Sequence, residues 1–92
     1  MSIDIFSLLY NFLRVMHMNR SIGDKIRILR EEANLNQTQL GKELNITQRK
    51  LSYIECNKYE PSVEDIRAIC NYFKISADYL LDIKKGYGYP NR

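Results

Sequence analysis

The apolar residues of this chain recur at the spacing of short α-helices. In the first clear run, the apolar positions are Ile22, Ile26, Leu29 and Ala33. Successive members of this set are three or four residues apart, so they share one face of a helix with a 3.6-residue period. Ser21 is suited to cap the N-terminus of this helix, with Asp24 completing a capping box. The pattern predicts a helix that ends at Asn34 and turns these four side chains inward.

Four more helical runs follow, and each begins at a residue that commonly caps helix N-termini. The capping residues are Asn36, Thr47, Ser62 and Ser76. The side chains expected to face inward are Leu40 and Leu44 in run 37–44, Leu51 and Ile54 in run 48–56, Ile66, Ile69, Cys70 and Phe73 after Ser62, and Tyr79, Leu80 and Ile83 after Ser76. Strict alternation of apolar and polar residues, which would indicate a strand, is not sustained. The chain is therefore predicted to be all-α.

An asparagine follows each of the first three helical runs. Asn34, Asn45 and Asn57 stand where a helix usually ends in the left-handed backbone conformation. Asn tolerates this conformation better than any residue except Gly. The residues alone therefore predict three short helices joined by tight turns.

Residues 1–20 carry more apolar side chains than a surface helix needs. One helical stripe consists of Ile5, Leu9, Phe12, Leu13 and Met16. If the five helices complete the core among themselves, this stripe would form an exposed patch on a monomer. Our hypothesis is that residues 1–20 form an apolar helix that pairs with its counterpart in a second chain or covers the fourth and fifth helices, making a dimer. The alternative is that translation starts at Met16 or Met18 and that the earlier residues have no such role.

The length and the reactive residues of the chain argue against an enzyme. Ninety-two residues provide one small core, but not a core together with a deep substrate cavity. Cys56, Cys70 and His17 are too few for a disulfide framework or a zinc site, so we expect reduced thiols, a cytoplasmic protein and no cofactor or metal. The apolar start has Asp4 where a signal peptide has positive charge, and it is too short to span a membrane.

Charge is distributed unevenly along the chain. The total is only +3, from 14 Lys and Arg against 11 Asp and Glu. Residues 42–58 are net basic, residues 59–82 are net acidic, and the tail 84–92, KKGYGYPNR, is basic and has no periodic apolar face. We expect this tail to be flexible. The compact body is therefore dipolar and suited to meet a polyanion with its second and third helices.

The third predicted helix has an unusual set of polar residues. They are Thr47, Gln48, Arg49, Lys50, Ser52 and Tyr53. Gln can pair with adenine through two hydrogen bonds and Arg with guanine, which is the chemistry of major-groove reading. The alternative is a merely solvated face, but such a face more often pairs Glu with Lys. No acidic residue lies between Glu43 and Glu55.

Residues 22–81 resemble the XRE-type helix-turn-helix family of phage repressors and Cro proteins. Four segments match in order: IGDKIRILREEANLNQTQL, LNITQRKLSYIE, CNKYEPS and FKISADYLL. The resemblance implies a five-helix lambda-repressor-like DNA-binding domain over residues 21–83. It also implies that the third predicted helix is the recognition helix.

The resemblance assigns roles to further residues, and the polar pattern of the third helix adds Lys50. The expected DNA-binding residues are Asn36, Gln37, Thr47, Gln48, Arg49, Lys50, Ser52, Tyr53, Asn57 and Lys58. Thr47, Gln48 and Arg49, with Ser52 and Tyr53 one turn later, are expected to read bases. Asn36 and Gln37 are expected to grip a phosphate, and Asn57 and Lys58 the neighbouring backbone. Arg30 and Glu55 are expected to form a buried, structural salt bridge.

The implied function is sequence-specific regulation of transcription. We expect a repressor that binds a near-palindromic operator in double-stranded DNA as a homodimer, with helix 48–56 in the major groove. The alternative is an antitoxin or another protein-interaction module, which binds a partner such as a toxin and autoregulates its operon. Neither interpretation involves a membrane.

Overall fold

The computed structural model of the protein describes residues 20–90. Its helices are α1 (Ile22–Glu32), α2 (Gln37–Leu44), α3 (Gln48–Glu55), α4 (Val63–Phe73) and α5 (Ala77–Leu81). These residues contain no strand, which confirms the all-α prediction. The stripe formed by Ile5, Leu9, Phe12, Leu13 and Met16 lies outside the described residues, so the dimer hypothesis remains a prediction.

Each helix begins where the sequence predicts, because the side chain at its N-cap accepts a backbone N–H. The N-cap residues are Ser21, Asn36, Thr47, Ser62 and Ser76. The capping box is complete in α2 and α4, where the side chains of Gln39 and Asp65 accept the N–H of the N-cap residue in return. At α1, Ser21 accepts the N–H of Asp24 at 3.2 Å, but the Asp24 carboxylate lies 3.9 Å from Arg27 instead of completing the predicted box.

Left-handed residues end the helices or the turns that follow them. Asn34, Asn45 and Asn57 have φ angles of 58°, 59° and 61°, which confirms the predicted turns. Lys74 after α4 and Asp82 after α5 adopt the same conformation, each with φ of 59°. Neither Lys nor Asp signals this conformation as clearly as Asn or Gly does, so the sequence analysis missed both.

One apolar cluster forms the core. Its buried members are Ile26, Leu40, Leu44, Leu51, Ile54, Ile69 and Leu80, all at predicted inward positions. Three other predicted inward residues, Ala33, Tyr79 and Ile83, are exposed. Ala33 and Ile83 lie beyond the ends of α1 and α5, so the helical spacing no longer controls their direction. The Tyr79 ring instead lies over the Lys25 ammonium, 5.2 Å from the ring centroid.

Two glycines allow α1 and α2 to lie close to α3 and to the turn before it. A Cβ at Gly23 of α1 would clash with the carbonyl oxygen of Ile54 in α3, and one at Gly41 of α2 would lie 2.8 Å from the carbonyl oxygen of Ile46, in the turn before α3. α3 therefore packs directly against α1 and α2, which fix its position in the body.

Candidate nucleic-acid interface

The inward residues of α3 leave one side of this helix open to solvent. Leu51 and Ile54 are completely buried, and Glu55 is nearly so. The predicted base-reading residues of this segment are Thr47, Gln48, Arg49, Ser52 and Tyr53. Ser52 is half-buried and the other four are exposed. We call these five residues the α3 face.

A buried ion pair joins α3 to α1. The Nε and Nη2 groups of Arg30 donate to the two carboxylate oxygens of Glu55 at 2.7 and 2.9 Å, and Nη1 donates to the Leu35 carbonyl at 2.9 Å. The Arg30 and Glu55 side chains are only 13% and 2% exposed. The hydrogen bond to Glu55 raises the pKa of Arg30, although burial opposes this. Because a bidentate pair has a defined geometry, it fixes the C-terminal end of α3.

Two glutamines connect this ion pair to the first residue of α3. Gln37 Nε2 donates to Glu55 Oε1 at 3.2 Å, and Gln48 Nε2 donates to Gln37 Oε1 at 2.7 Å. Gln37 is half-buried, whereas Gln48 is exposed. The hydrogen bonds restrict the Gln48 side chain before any ligand arrives, which lowers the entropy lost on binding.

The α3 face has the functional groups needed to read base edges. The bond to Gln37 leaves Gln48 with one amide N–H and its carbonyl oxygen. This donor and acceptor match N7 and the N6 amino group of adenine in the major groove. The neighbouring Arg49 is exposed, and a guanidinium can donate to both O6 and N7 of guanine.

The N-terminus of α2 offers backbone groups more than side chains. The Asn36 side chain accepts the N–H of Gln39 at 2.7 Å, and the Gln37 side chain is engaged with Glu55 and Gln48. The capping box satisfies the N–H groups of Asn36 and Gln39, whereas those of Gln37 and Thr38 in the same turn have no acceptor within the helix. Such groups bind phosphate oxygens well, assisted by the helix dipole.

Two more of the predicted DNA-binding side chains, Lys50 and Asn57, are also engaged within the protein. The Lys50 ammonium lies 3.0 Å from Asp65 Oδ2, and Asn57 Oδ1 accepts the N–H of Gly23 at 3.2 Å. Burial raises the pKa of Asp65, but hydrogen bonds from the Ser62 backbone and from Lys50 outweigh this and lower it below its usual value. Asp65 is therefore a stable anion that holds Lys50 against α4.

Two exposed lysines flank the α3 face. Lys58 follows Asn57, and its N–H donates to the Tyr53 carbonyl at 2.9 Å, which fixes its backbone. Lys42 lines a shallow groove between α2 and α3, together with Thr47 and Lys50. Lys42 was not among the residues predicted to bind DNA, and its only signal was the basic character of residues 42–58.

Metal-ligand clusters and membrane-spanning helices are absent from the part of the chain that the structure describes. Among residues 20–90, no three His, Cys, Asp or Glu side chains are grouped as a metal site. None of the helices in this range is both long and apolar enough to cross a membrane.

Comparison with known proteins identifies a helix-turn-helix domain in this chain. The helix-turn-helix domain family matches residues 23–85. The immunity repressor protein of Bacillus phage phi105 is 28% identical over 61 residues, which cover 66% of this chain and 42% of the repressor. The HTH-type transcriptional regulator ImmR of Bacillus subtilis (strain 168) is 30% identical over 61 residues, covering 66% of this chain and 48% of ImmR. The chain thus matches less than half of the length of either relative.

Solved structures of the P22 c2 repressor resemble the fold. In its crystal structure with synthetic operator 9T, the repressor superposes with a TM-score of 0.67 and 29% identity, covering 72% of this chain and all of the repressor chain. The solution structure of its DNA-binding domain gives a TM-score of 0.64 and 30% identity, covering 76% of this chain and 96% of the domain. The family match covers most of the chain, and the two structural matches cover 72% and 76% of it. The chain therefore belongs to the XRE-type helix-turn-helix domain family.

Proposed function

We propose that this protein binds a specific DNA operator with α3 in the major groove and represses the promoter that the operator overlaps. The α3 face carries this proposal, because its hydrogen-bonding side chains include Gln48, which Gln37 holds in place. The similar proteins support it, since they are repressors and a regulator and one of them is bound to operator DNA. An antitoxin role has no comparable support. A repressor of this type works in the cytoplasm, where bacterial DNA lies.

Base reading and backbone contact are assigned to different residues. The proposed base readers are Thr47, Gln48, Arg49, Ser52 and Tyr53 of the α3 face. The proposed backbone contacts are the N-terminus of α2 at Asn36 and Gln37, and Lys58 after α3. Asn57 acts with them by fixing the turn that carries Lys58, because its side chain is bound to Gly23. Phosphate contacts position a protein on DNA, whereas base contacts give the specificity.

Replacing Gln48 or Arg49 with Ala is expected to reduce discrimination at one base pair by about 1–3 kcal/mol. Each substitution removes donors that only the correct base edge satisfies. The measurement uses a duplex selected by the wild-type protein from a random pool, together with duplexes in which each base pair is changed in turn. Tight binding by wild type with loss of discrimination in the variants is the expected result.

Lys58→Ala is the matched comparison for this experiment. It should weaken binding to the selected and the scrambled duplex equally and reduce the slope of log affinity against log salt concentration by about one. If Gln48→Ala and Arg49→Ala also weakened both duplexes equally, neither residue would be a base reader. If the wild-type protein selected no sequence at all, the proposed function would be wrong.

We also propose that two chains bind the operator together, joined through residues 1–20. The stripe formed by Ile5, Leu9, Phe12, Leu13 and Met16 supports this proposal, because it is apolar at helical spacing. A dimer would present two α3 helices to successive major grooves, about 34 Å apart, and would therefore need a near-palindromic operator.

Removing the N-terminal segment is expected to convert the dimer to a monomer. Sedimentation velocity of a chain that starts at Met18 should give the mass of one chain, because the stripe is missing. The full-length variant with Leu9→Asp and Leu13→Asp should behave in the same way, since two charges in an apolar interface are costly. A dimer that persists in both proteins would rule out this interface.

A further inference from the structure

Lys50 follows Arg49 in α3, but its ammonium is directed to a neighbouring helix. Its Nζ lies 3.0 Å from Oδ2 and 3.3 Å from Oδ1 of Asp65, near the N-terminus of α4. The same Nζ lies over the ring of Tyr59, 5.7 Å from the centroid. About a third of the Lys50 side chain is exposed, whereas Asp65 is buried. An ammonium in these surroundings is already neutralised before DNA binds.

Asp65 is firmly held, so it cannot follow Lys50 toward DNA. Its Oδ2 accepts the N–H of Ser62 at 3.0 Å, and its own N–H donates to the Ser62 hydroxyl at 3.1 Å. These two bonds form the capping box at the start of α4. The capping box therefore gives Lys50 a partner in a fixed position.

The Lys50–Asp65 pair complements the buried pair at the other end of α3. Arg30 and Glu55 fix the C-terminal end of α3 to α1, while Lys50 and Asp65 fix its first turn to α4. Gln48 and Arg49 lie in this first turn. A rotation of the first turn would move both side chains relative to a base edge, and hydrogen bonds to bases weaken steeply with such changes.

We propose that Lys50 is a positioning residue, whose ion pair with Asp65 sets the orientation of the first turn of α3 and thereby the discrimination between operator and other DNA. This inference rests on the proposed function of α3. It revises the expectation that Lys50 contacts DNA itself.

A double-mutant cycle in the full-length protein tests this inference. The variants are Lys50→Met, Asp65→Asn and the double variant, and the probes are the selected duplex and a scrambled duplex of the same composition. The Asp65→Asn variant keeps a side-chain oxygen that can accept the Ser62 N–H, so the capping box can persist. Each single variant should bind the selected duplex roughly tenfold more weakly, within the range measured for coupled pairs. The double variant should bind the selected duplex no more weakly than either single variant does.

The salt dependence distinguishes positioning from phosphate contact. A positioning residue leaves the slope of log affinity against log salt unchanged, whereas Lys58→Met should reduce it by about one. Lys50→Arg should retain discrimination, because a guanidinium can also pair with Asp65. Lys50 would be a DNA ligand, and the inference would be wrong, if Lys50→Met reduced the slope and also weakened binding by the same factor in the wild-type protein and in the Asp65→Asn variant.

The DNA-free protein provides a second measurement that does not depend on affinity. The backbone amide resonances of Gln48 and Arg49 should shift in the same direction in Lys50→Met and Asp65→Asn, under conditions where circular dichroism shows both to be folded. Unchanged resonances in both variants would overturn the inference. Failure of the wild-type protein to distinguish the two duplexes would instead refute the proposed function.

Discussion

Replacing Arg30 with Met is expected to lower the free energy of unfolding by about 3–5 kcal/mol, the usual cost of removing one partner from a buried ion pair. The Glu55 carboxylate is only 2% exposed and would lose both of its bonds to Arg30. The Gln37 amide would remain as a donor, but it carries no charge to offset the buried anion. Equilibrium unfolding in urea at neutral pH measures the loss.

Arg27→Met is the matched control, because it makes the same change three residues earlier in the same helix. Arg27 pairs with Asp24 and Glu31 at 3.9 and 3.8 Å, and these side chains are largely open to solvent. Exposed pairs of this kind contribute about 0–1 kcal/mol. Similar losses for Arg27→Met and Arg30→Met would show that the buried pair adds nothing beyond an ordinary surface pair.

Gly23→Ala is expected to destabilise the protein by about 2–3 kcal/mol, the upper part of the range typical of overpacked interiors. Besides its contact with the Ile54 carbonyl oxygen, the added Cβ would lie 2.6 Å from Asn57 Oδ1 and 3.0 Å from the Glu55 carbonyl oxygen. Two of these three atoms are backbone, so relief requires α1 and the end of α3 to separate. The hydrogen bond from Gly23 to Asn57 would be strained in the same movement. Thermal and urea unfolding measure the effect.

Gly88→Ala serves as the control for this prediction, because nothing lies within 4 Å of the added Cβ. We expect its effect to stay within about 0.5 kcal/mol, as for most surface substitutions. Gly41→Ala should fall between the two, since its contact with Ile46 is less severe and Ala favours the helix by about 0.5–1 kcal/mol. Equal stability of the Gly23 and Gly88 variants would mean that α1 and α3 are not in close contact.

The start of every helix was predictable because the signals are local. Ser62 and Asp65, for example, are three residues apart and bond to each other across one turn. The turns at Asn45 and Asn57 were predictable for the same reason, since the left-handed preference belongs to the residue itself. Ala33 and Ile83 were misassigned because periodicity does not show at which residue a helix ends.

The contacts that orient the candidate site were harder to predict. Gly23 and Asn57 are 34 residues apart, and Lys50 and Asp65 are 15 apart. A polar residue in an exposed helix turn looks the same in sequence whether it faces solvent or an anion on another helix. Lys50 and Asn57 were both expected to contact DNA, Lys50 from the polar pattern of α3 and Asn57 from the family resemblance, whereas the fold engages both side chains within the protein.

The sequence by itself determined the five helices, most residues of the core and the polar composition of α3, because propensity, capping and hydrophobic spacing act over a few residues. Only the tertiary structure decided which polar side chains remain available. It joined Gln48 to Gln37 and Lys50 to Asp65, and it left Arg49 exposed. The physical reason is that hydrogen bonds and ion pairs depend on distances of about 3 Å, and only the packing of the helices sets such distances between residues that are remote in the chain.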